Sequence, residues 1–511
     1  MWALGGRKIV PVLIGLGTAA GSLSLASGVD ANEIGVVRIG RAGATAARIA
    51  IDYKWSLFGL TTEAPGYREL MNEIHLRSAL RLKELCCINK GAFIKVGQHV
   101  GSLDYLLPPE YVETMRSLFR DAPQSPFSDV LKVLQEDLQE NPWEIFREID
   151  ENPLGAASLA QVHRAVLKED GSVVAVKVQH PKVQKQAYMD IAAMEVLVKA
   201  AAKLFPEFQF VWLAEETKKI LPLELDFLNE GRNCEKMGAK LRKFSFVKVP
   251  YIIWKYSTTR VLTMEFCEGG RVDDLAYYQR NGISPTEVYC DISRLFSEMI
   301  FKLGYVHCDP HPGNMLVNKT ASGRPIISLL DHGVHLTIPE HIRLAYAKMW
   351  IAILNADIAN MRVHAKELGV EEWFDLLACM LTARSWKGVS TGVQASSISP
   401  DELEAIKVKA GTILFGISDV LNKVPREVLL ILKTNDLLRG LAYKLQVSNS
   451  PCSFTNTSLA CSKVVFKQKL KQSRSWWEYL SAGVQMIFTL CRIRCYQLYL
   501  KYFAPPSPLI M

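Results

Sequence analysis

Two short segments concentrate side chains that could do chemistry. The first, Tyr305-Val-His307-Cys308-Asp309-Pro-His311-Pro-Gly313-Asn314-Met-Leu316-Val317, brings together two imidazoles, a carboxylate, two prolines and a side-chain amide between strand-forming residues. The second, Ile326-Ile-Ser-Leu-Leu330-Asp331-His332-Gly333, is an apolar run that delivers an acid followed by His-Gly, a common way to present a metal-binding carboxylate at a strand end. Two chemistries fit this pair. In one, His307, Asp309 and His311 ligate a transition metal in a hydrolase, their alternation placing all three on one face of a strand. Pro310 and Pro312 would break that strand, and no fourth ligand is evident. In the other, Asp309 serves a phosphoryl-transfer loop. Such a loop requires His-x-Asp, then Asn five positions after the Asp, then Asp-x-Gly beyond the next hairpin. Asp309 and Asn314 are five apart, and Asp331-His332-Gly333 follows a loop containing Ser322-Gly-Arg-Pro325. Phosphoryl transfer accounts for Asn314 and Asp331 together, and the metal triad accounts for neither.

Phosphoryl transfer makes an upstream demand: a lysine on a β-strand to hold phosphates, and a glutamate on a helix to hold that lysine. Val174-Ala-Val-Lys177 supplies the lysine, in the second of two β-branched runs separated by the turn dipeptide Asp170-Gly171, which is a hairpin signal. Candidate glutamates lie in Leu223-Glu224-Leu-Asp226-Phe-Leu-Asn-Glu230. Glu230 stands 53 positions after Lys177, so an inserted helical segment must lie between them. Glu265, Phe266 and Cys267 follow the apolar run Val261–Met264, where the hinge of a kinase-like site would bind adenine through backbone groups.

The elements that must position these residues are legible in outline. Apolar spacing predicts a helix over 68–88, carried by Leu70, Met71, Ile74, Leu82 and Leu85 and stopped at Asn89-Lys90-Gly91. A second helix is predicted from Pro109 to Phe119, broken by Pro123-Gln-Ser-Pro126, and a third over 128–148, so this block reads as helical without strand alternation. The texture changes at Pro153, where Gly155 and the small residues Ala156, Ala157 and Ser158 precede the hairpin. Helices are predicted over 182–240, strands at Phe246–Trp254 and Val261–Cys267, and a mostly helical stretch over 284–450 around a β-rich island at 304–336. His75 and His99 read as structural histidines in helices, and Trp350, Trp373 and Trp386 as core.

The chain has 511 residues, long enough for two to four domains and for a large core. Hydrophobic residues make up 49% and charged residues 22%, which excludes a disordered or low-complexity protein. The net charge of +8 points only weakly to acidic surfaces. Eleven cysteines without a CxxC predict neither a disulfide framework nor a zinc site, and Cys452, Cys461, Cys491 and Cys495 read as ordinary loop and helix residues of a reducing compartment. The membrane character sits at the ends. Arg7 and Lys8 precede an apolar run from Ile9 to Ala26, no acid appears before Asp30, and Arg38, Arg41 and Arg48 follow. Secretory signal, membrane anchor and mitochondrial targeting segment compete here, and the acid-free basic start favours mitochondrial import. From Lys463 to Lys501 eight basic residues face one acid, Glu478, around Trp476, Trp477 and an apolar stretch Leu480–Leu490 too short to span. Such a helix could lie on an anionic leaflet, and a helix docked on the body is the alternative. Asn318-Lys-Thr320 and Asn456-Thr-Ser458 match glycosylation acceptors by a pattern that arises often by chance.

Over roughly residues 30 to 450 the sequence resembles the UbiB family of atypical kinases, the aarF-domain-containing kinases. The resemblance rests on Lys95-Val-Gly97-Gln98, Pro153-Leu-Gly-Ala-Ala-Ser158-Leu-Ala-Gln161-Val-His163, Val-Ala-Val-Lys177, Glu224-Leu-Asp226 with Glu230, His307-Cys-Asp309 to Asn314, and Asp331-His-Gly333. It implies an α+β, protein-kinase-like fold with a small mixed N-lobe, a larger helical C-lobe and an N-terminal helical extension, using ATP and Mg²⁺. By the same resemblance, Lys177 contacts the α/β-phosphates and pairs with Glu230, Asp309 holds the catalytic-base position, and Asn314 and Asp331 hold Mg²⁺. Gly155, Ala156, Ala157 and Ser158 replace the glycine-rich loop, Glu265 and Cys267 lie at the hinge, and Lys95, Gly97 and Gln98 with Glu224 and Asp226 gate the nucleotide site. Two departures stand out: His332 occupies the usual Phe position, and Cys308 replaces an arginine that would bind an activation-loop phosphate.

The expectation is a targeting segment or anchor over 1–28, a helical extension over 29–150, an N-lobe over 151–268, a C-lobe over 269–450 and a basic tail over 451–511. The function expected is that of an ATPase or small-molecule/lipid-directed kinase in mitochondrial lipid or quinone homeostasis, associated with the inner membrane. Its partners would be ATP, membrane lipids and membrane proteins, and not nucleic acid. A protein Ser/Thr kinase and a nucleotide-binding pseudokinase scaffold are the alternatives.

Overall fold

A computed structural model describes residues 35–61, 64–101, 107–119, 124–204, 211–390, 420, 423–447 and 450–503. The segment 1–28, with its apolar run 9–26, lies outside the described residues. The described chain forms two compact units. One runs to Arg232 and includes Ile252–Phe266; the other comprises Asn233–Tyr251 and the chain from Cys267 onward.

The first unit opens with helices α1 (Gly35–Ser56), α2 (Tyr67–Asn89), α3 (Ala92–Gly101) and α4 (Pro109–Arg116). α2 stops where the residue types predicted, with Lys90 in the left-handed region (φ 56°) and its N–H on the Cys86 carbonyl. α3 packs so closely that a Cβ on Gly97 would lie 2.4 Å from Leu118 Cδ1 and 3.2 Å from Cys86 Sγ. One basic residue of the N-terminal segment is not a surface charge at all. Arg38 is buried, with Nε 2.9 Å from Asp190 Oδ1, and it accepts the Asn89 side-chain amide on its own carbonyl.

The third predicted helix is cut short. α5 (Phe127–Leu138) ends at Gln139, in the left-handed region at φ 58°. Asn141 then caps a single turn, Pro142–Ile145, and the chain enters strand β1 (Phe146–Ile149). The Asn-Pro step disfavours continued helix, and Phe146 and Ile149 gain burial against the sheet that a solvent-facing helix would not supply. β2 (Gly155–Ala156), β3 (Ala160–Leu167) and β4 (Val173–Gln179) follow, the last two forming the expected hairpin. Helices α6 (Val183–Leu204), α7 (Val211–Glu224) and α8 (Phe227–Leu241), the last counted with the second unit from Asn233 on, then precede β5 (Val261–Glu265). The sheet order is β1-β3-β4-β5 with β2 on β3, every neighbour antiparallel. Val174, Val176 and Val178 of β4 bury against Val130, Val133 and Leu134 of α5. The period of two therefore sends Lys177 to the opposite face.

In the second unit only Val247–Lys248 of the predicted Phe246–Trp254 run joins this unit's sheet, lying parallel to the strand Pro325–Leu329. β6 (Gly270–Arg271), helices α9 (Leu275–Asn281) and α10 (Pro285–Ser297), and strands β7 (Tyr305–His307), β8 (Met315–Lys319), β9 (Pro325–Leu329) and β10 (His335–Thr337) follow. β9 pairs β8, β8 pairs β6, and β7 pairs β10 separately. Gly269 (φ 146°) is required where the backbone crosses β8, since a Cβ would stand 2.6 Å from the Val317 carbonyl oxygen. Helices α11 (Glu340–Leu354), α12 (Ile358–Glu367), α13 (Phe374–Thr382), α14 (Arg426–Lys444), α15 (Cys452–Gln472) and α16 (Trp476–Phe503) complete the unit. Trp350 is core, as expected, and its indole N–H donates to Ser458 Oγ at 3.1 Å.

The cysteine reading needs correction here. Cys290 on α10 and Cys452 at the start of α15 form a disulfide across 162 residues. The two were far apart in sequence and shared no spacing motif, so only the packing of α15 on α10 brings them together. Asn456 reinforces that packing by donating its amide to the Cys290 carbonyl at 3.1 Å. Among the described residues no helix is long and apolar enough to cross a membrane.

Candidate functional site

In the first unit, Lys177 and Glu230 form the pair that the phosphoryl-transfer reading demanded. Lys177 Nζ donates to both Glu230 carboxylate oxygens at 2.7 and 2.8 Å, and it also lies 5.2 Å from the Phe227 ring centroid. Register fixes the lysine: on β4 it sits opposite Val162 of β3 and Leu262 of β5, in the middle of the sheet. The helix start fixes the glutamate. Asp226 Oδ1 accepts the Leu228 N–H at 3.1 Å, capping α8 so that Glu230 falls in its opening turns. Asp226, expected as a gating residue, has this structural task. Glu224, the competing acid, is taken instead by Lys95, whose Nζ lies 2.9 Å from Glu224 Oε1. Gln98 donates its amide to the Leu118 carbonyl at 3.0 Å.

The small-residue loop forms a tight turn. Gly155 and Ala156 pair with Val162 and Gln161, and the Ala157 N–H reaches the Ala160 carbonyl at 2.7 Å. None of residues 155–158 adopts a positive φ, which explains how alanine replaces glycine here without strain. Ser158 is buried. A polar net that sequence reasoning missed holds this turn. His180 Nε2 donates to the Ala157 carbonyl at 3.0 Å while its Nδ1 accepts the Ser125 hydroxyl at 2.8 Å. Gln161 Oε1 accepts the Ser125 N–H, and its amide donates to His163 Nε2 at 2.9 Å, because His163 Nδ1 is committed as donor to the Asp150 carbonyl. Burial lowers the pKa of both imidazoles and keeps them neutral. The motif Gln161-Val-His163 was visible in sequence, but its partners Ser125 and His180 had no signal. Glu265 closes β5 opposite Val174, and Cys267 is buried in the second unit.

In the second unit, His307 organises the acids. Its Nε2 donates to the carbonyls of Leu330 and Asp331 at 3.0 and 2.7 Å, which leaves Nδ1 to accept the Asp309 N–H at 3.3 Å. One fully buried imidazole thus ties the backbone of Asp309 to that of Asp331. The Asn314 amide nitrogen donates to Asp309 at its carbonyl (3.2 Å) and its Oδ2 (3.1 Å). Both partners are acceptors, so the nitrogen must face them and the amide oxygen must face away. Asp331 stands beyond β9 in the left-handed region at φ 55°, a strained conformation for a residue with a Cβ. The amide oxygen of Asn314 and the carboxylate of Asp331 are hard-oxygen donors of the kind Mg²⁺ takes alongside phosphate oxygens and water.

The transition-metal triad does not form. Both ring nitrogens of His307 are engaged with backbone groups, and His311 Nδ1 accepts the Gly313 N–H at 3.1 Å, capping the turn Pro312–Asn314. No cluster of three or more His, Cys, Asp or Glu among the described residues could hold a metal. Cys308 is buried, and that burial pushes its thiol up to about 12, so it packs rather than reacts. His332 is buried too, donating Nε2 to the Leu329 carbonyl at 2.9 Å and stacking on His335 with centroids 5.2 Å apart. Burial, with His307 and His332 alongside, drives His335 down to about 2. Asn233 joins this group by donating to the His332 carbonyl and accepting the Tyr305 hydroxyl. The pattern His332-x-x-His335 was the only sequence hint of this support.

The profile described as the ABC1 atypical kinase-like domain matches residues 117–365. Over 473 residues the chain is 49% identical to the AarF domain-containing protein kinase 1 of Gallus gallus, covering 92% of this chain and 91% of that protein. The protein of the same name from Mus musculus is 48% identical over 474 residues, 93% of this chain and 90% of the mouse protein. The AarF domain-containing kinase 1 of Drosophila melanogaster is 44% identical over 494 residues, 96% and 95% of the two chains.

Proposed function

The chain belongs to the ABC1/AarF family of atypical kinases, and from that premise we propose that it binds Mg-ATP and turns it over, as an ATPase or a small-molecule- or lipid-directed kinase. The observation that carries this reading is the His307 tie, which holds Asp309 and Asp331 in register while Asn314 braces the Asp309 carboxylate. Such bracing is what a phosphoryl-transfer centre needs, because its catalysis rests on positioning and charge stabilisation.

In this reading Asp309 orients and accepts a proton from the attacking hydroxyl or water. Asn314 and Asp331 hold Mg²⁺, which when bound would offset charge on the phosphates. Lys177, steadied by Glu230, contacts the α/β-phosphates, backbone groups of Gly155, Ala156, Ala157 and Ser158 approach them, and Glu265 and Cys267 meet adenine through their main chain. Lys95, Gly97, Gln98, Glu224 and Asp226 gate the nucleotide, with residues 29–150 as extension, 151–268 and 269–450 as lobes and 451–511 as tail. The activity would serve lipid or quinone homeostasis at the mitochondrial inner membrane. Cys308, where a regulatory arginine would stand, weighs against a protein kinase switched by activation-loop phosphorylation. A pseudokinase scaffold would leave the braced Asp309 without a use.

The test is Mg²⁺-dependent phosphate release from ATP by the purified chain, with and without anionic liposomes. Asp331→Asn should abolish the release while leaving the thermal unfolding transition in place. An unchanged rate in that variant defeats the proposal.

A further inference from the structure

We propose that α16 is a docking element for anionic lipid surfaces, lying along the membrane rather than crossing it. Its outward face carries an apolar stripe at steps of three and four residues, Trp477, Leu480, Val484, Ile487 and Cys491, with Phe488 beside it; Arg494 takes the next position and Leu498 follows it. These are not marginal exposures, since Trp477 and Phe488 are each 70% exposed and Ile487 60%. The other side of the helix is used up in packing, with Ala482 and Ile493 buried and Arg492 donating to Asn355 at 2.8 Å. At 1.5 Å per residue the unbroken stripe from Trp477 to Cys491 runs about 20 Å, and exposed apolar surface of that length marks an interaction site.

Charge selects the occupant. Lys469, Lys471 and Arg474 lead into α16, and Arg492, Arg494 and Lys501 lie toward its end. The one acid, Glu478, is turned back on the Arg474 N–H at 2.8 Å. A second copy of this helix would therefore meet like charges at both ends, whether it paired parallel or antiparallel. A surface that is apolar within and anionic at its boundary meets both the stripe and the charges. Trp476 and Trp477, in edge contact at 4.9 Å, are the residue type that settles at such a boundary. With two arginines inside the helix and no described helix apolar enough to cross a bilayer, the geometry is that of a helix in the interfacial plane.

This inference is independent of the nucleotide site. The full chain, without nucleotide, should co-sediment with phosphatidylcholine vesicles that contain phosphatidylglycerol and hardly at all with phosphatidylcholine alone, and added salt should weaken the binding. Trp477→Ser combined with Phe488→Ser should cut partitioning roughly tenfold or more with the unfolding temperature unchanged, since both side chains are exposed. Asp331→Asn should bind as the unsubstituted chain does, which separates this result from the ATP assay. The proposal is overturned if the double variant binds equally, if the chain binds neither vesicle, or if the chain is a dimer in lipid-free buffer that the same double substitution splits.

Discussion

Lys177 and Glu230 meet in a two-pronged ion pair, both carboxylate oxygens within 2.8 Å of one ammonium, although 53 positions of chain separate them. The side chains are only 13% and 4% exposed, so each offsets the other's charge in the interior. In the proposed function the pair therefore couples nucleotide binding to the stability of the first unit.

Glu230→Gln removes the carboxylate charge facing the Lys177 ammonium and should destabilise the first unit by about 3 kcal/mol, read as a lower urea midpoint. Combining Lys177→Met with Glu230→Leu removes both charges and should recover much of that loss, while the thermal shift produced by Mg-ATP disappears in the single and the double variants alike. If the double variant is as unstable as Glu230→Gln, the pair is not the source of the effect.

Asp52 sets an acid limit on the packing of α1 against α2. It accepts Arg77 Nη2 at 3.0 Å and Arg81 Nη1 at 2.5 Å, and the Arg77 hydrogen bond is the chief reason its carboxyl titrates below the ordinary 3.8. A depressed pKa in the folded state means that the unfolded chain takes up the proton first as the pH falls. The contribution of Asp52 is thus complete above the unfolded pKa and is lost as the pH drops through the folded one. Both arginines are about a third exposed or more, which limits the gain to roughly 0.5–1 kcal/mol. Asp52→Asn should lower the urea midpoint slightly at about pH 7 and match the unsubstituted chain at about pH 2. A constant difference across that range would contradict this assignment.

The Cys290–Cys452 bond closes a loop of 162 positions, so its loss releases a long stretch of the denatured chain. Cys290→Ser should cost about 3 kcal/mol, and a reducing agent should lower the melting temperature of the unsubstituted chain but not of the variant. Peptide mapping without reductant should recover the crosslinked pair. Two free, alkylatable thiols would show that the bond does not form in solution.

The residues proposed for phosphoryl transfer could be picked out in sequence because that chemistry would impose local spacing. Asp309 to Asn314 spans five positions on one loop, and the hairpin to Asp331 is closed by a short turn, so these residues announce themselves without any knowledge of distant contacts. Lys177 was legible for the same reason, as a strand residue next to a Gly-containing turn. The profile that matches residues 117–365 and the relatives near 49% identity agree with that reading at the level of family.

What stayed hidden depends on partners far along the chain. Glu224 and Glu230 stand six positions apart in one acidic stretch, and the residues alone offer both to Lys177. Packing divides them, sending Glu224 to Lys95 and Glu230 to Lys177. Residues 146–149 carry apolar positions that serve a helix or a strand equally well, and pairing with β3 decided for the strand. Arg38 looked like one more charge of a basic segment until Asp190, 152 positions away, gave it a reason to be buried. Cys290 and Cys452 carried no mutual signal at all. Sequence alone determines what is set by neighbours within a turn or a hairpin. Tertiary structure decides which distant charge, strand or thiol completes each group, because burial makes a lone polar group costly and leaves only the arrangement that pairs it.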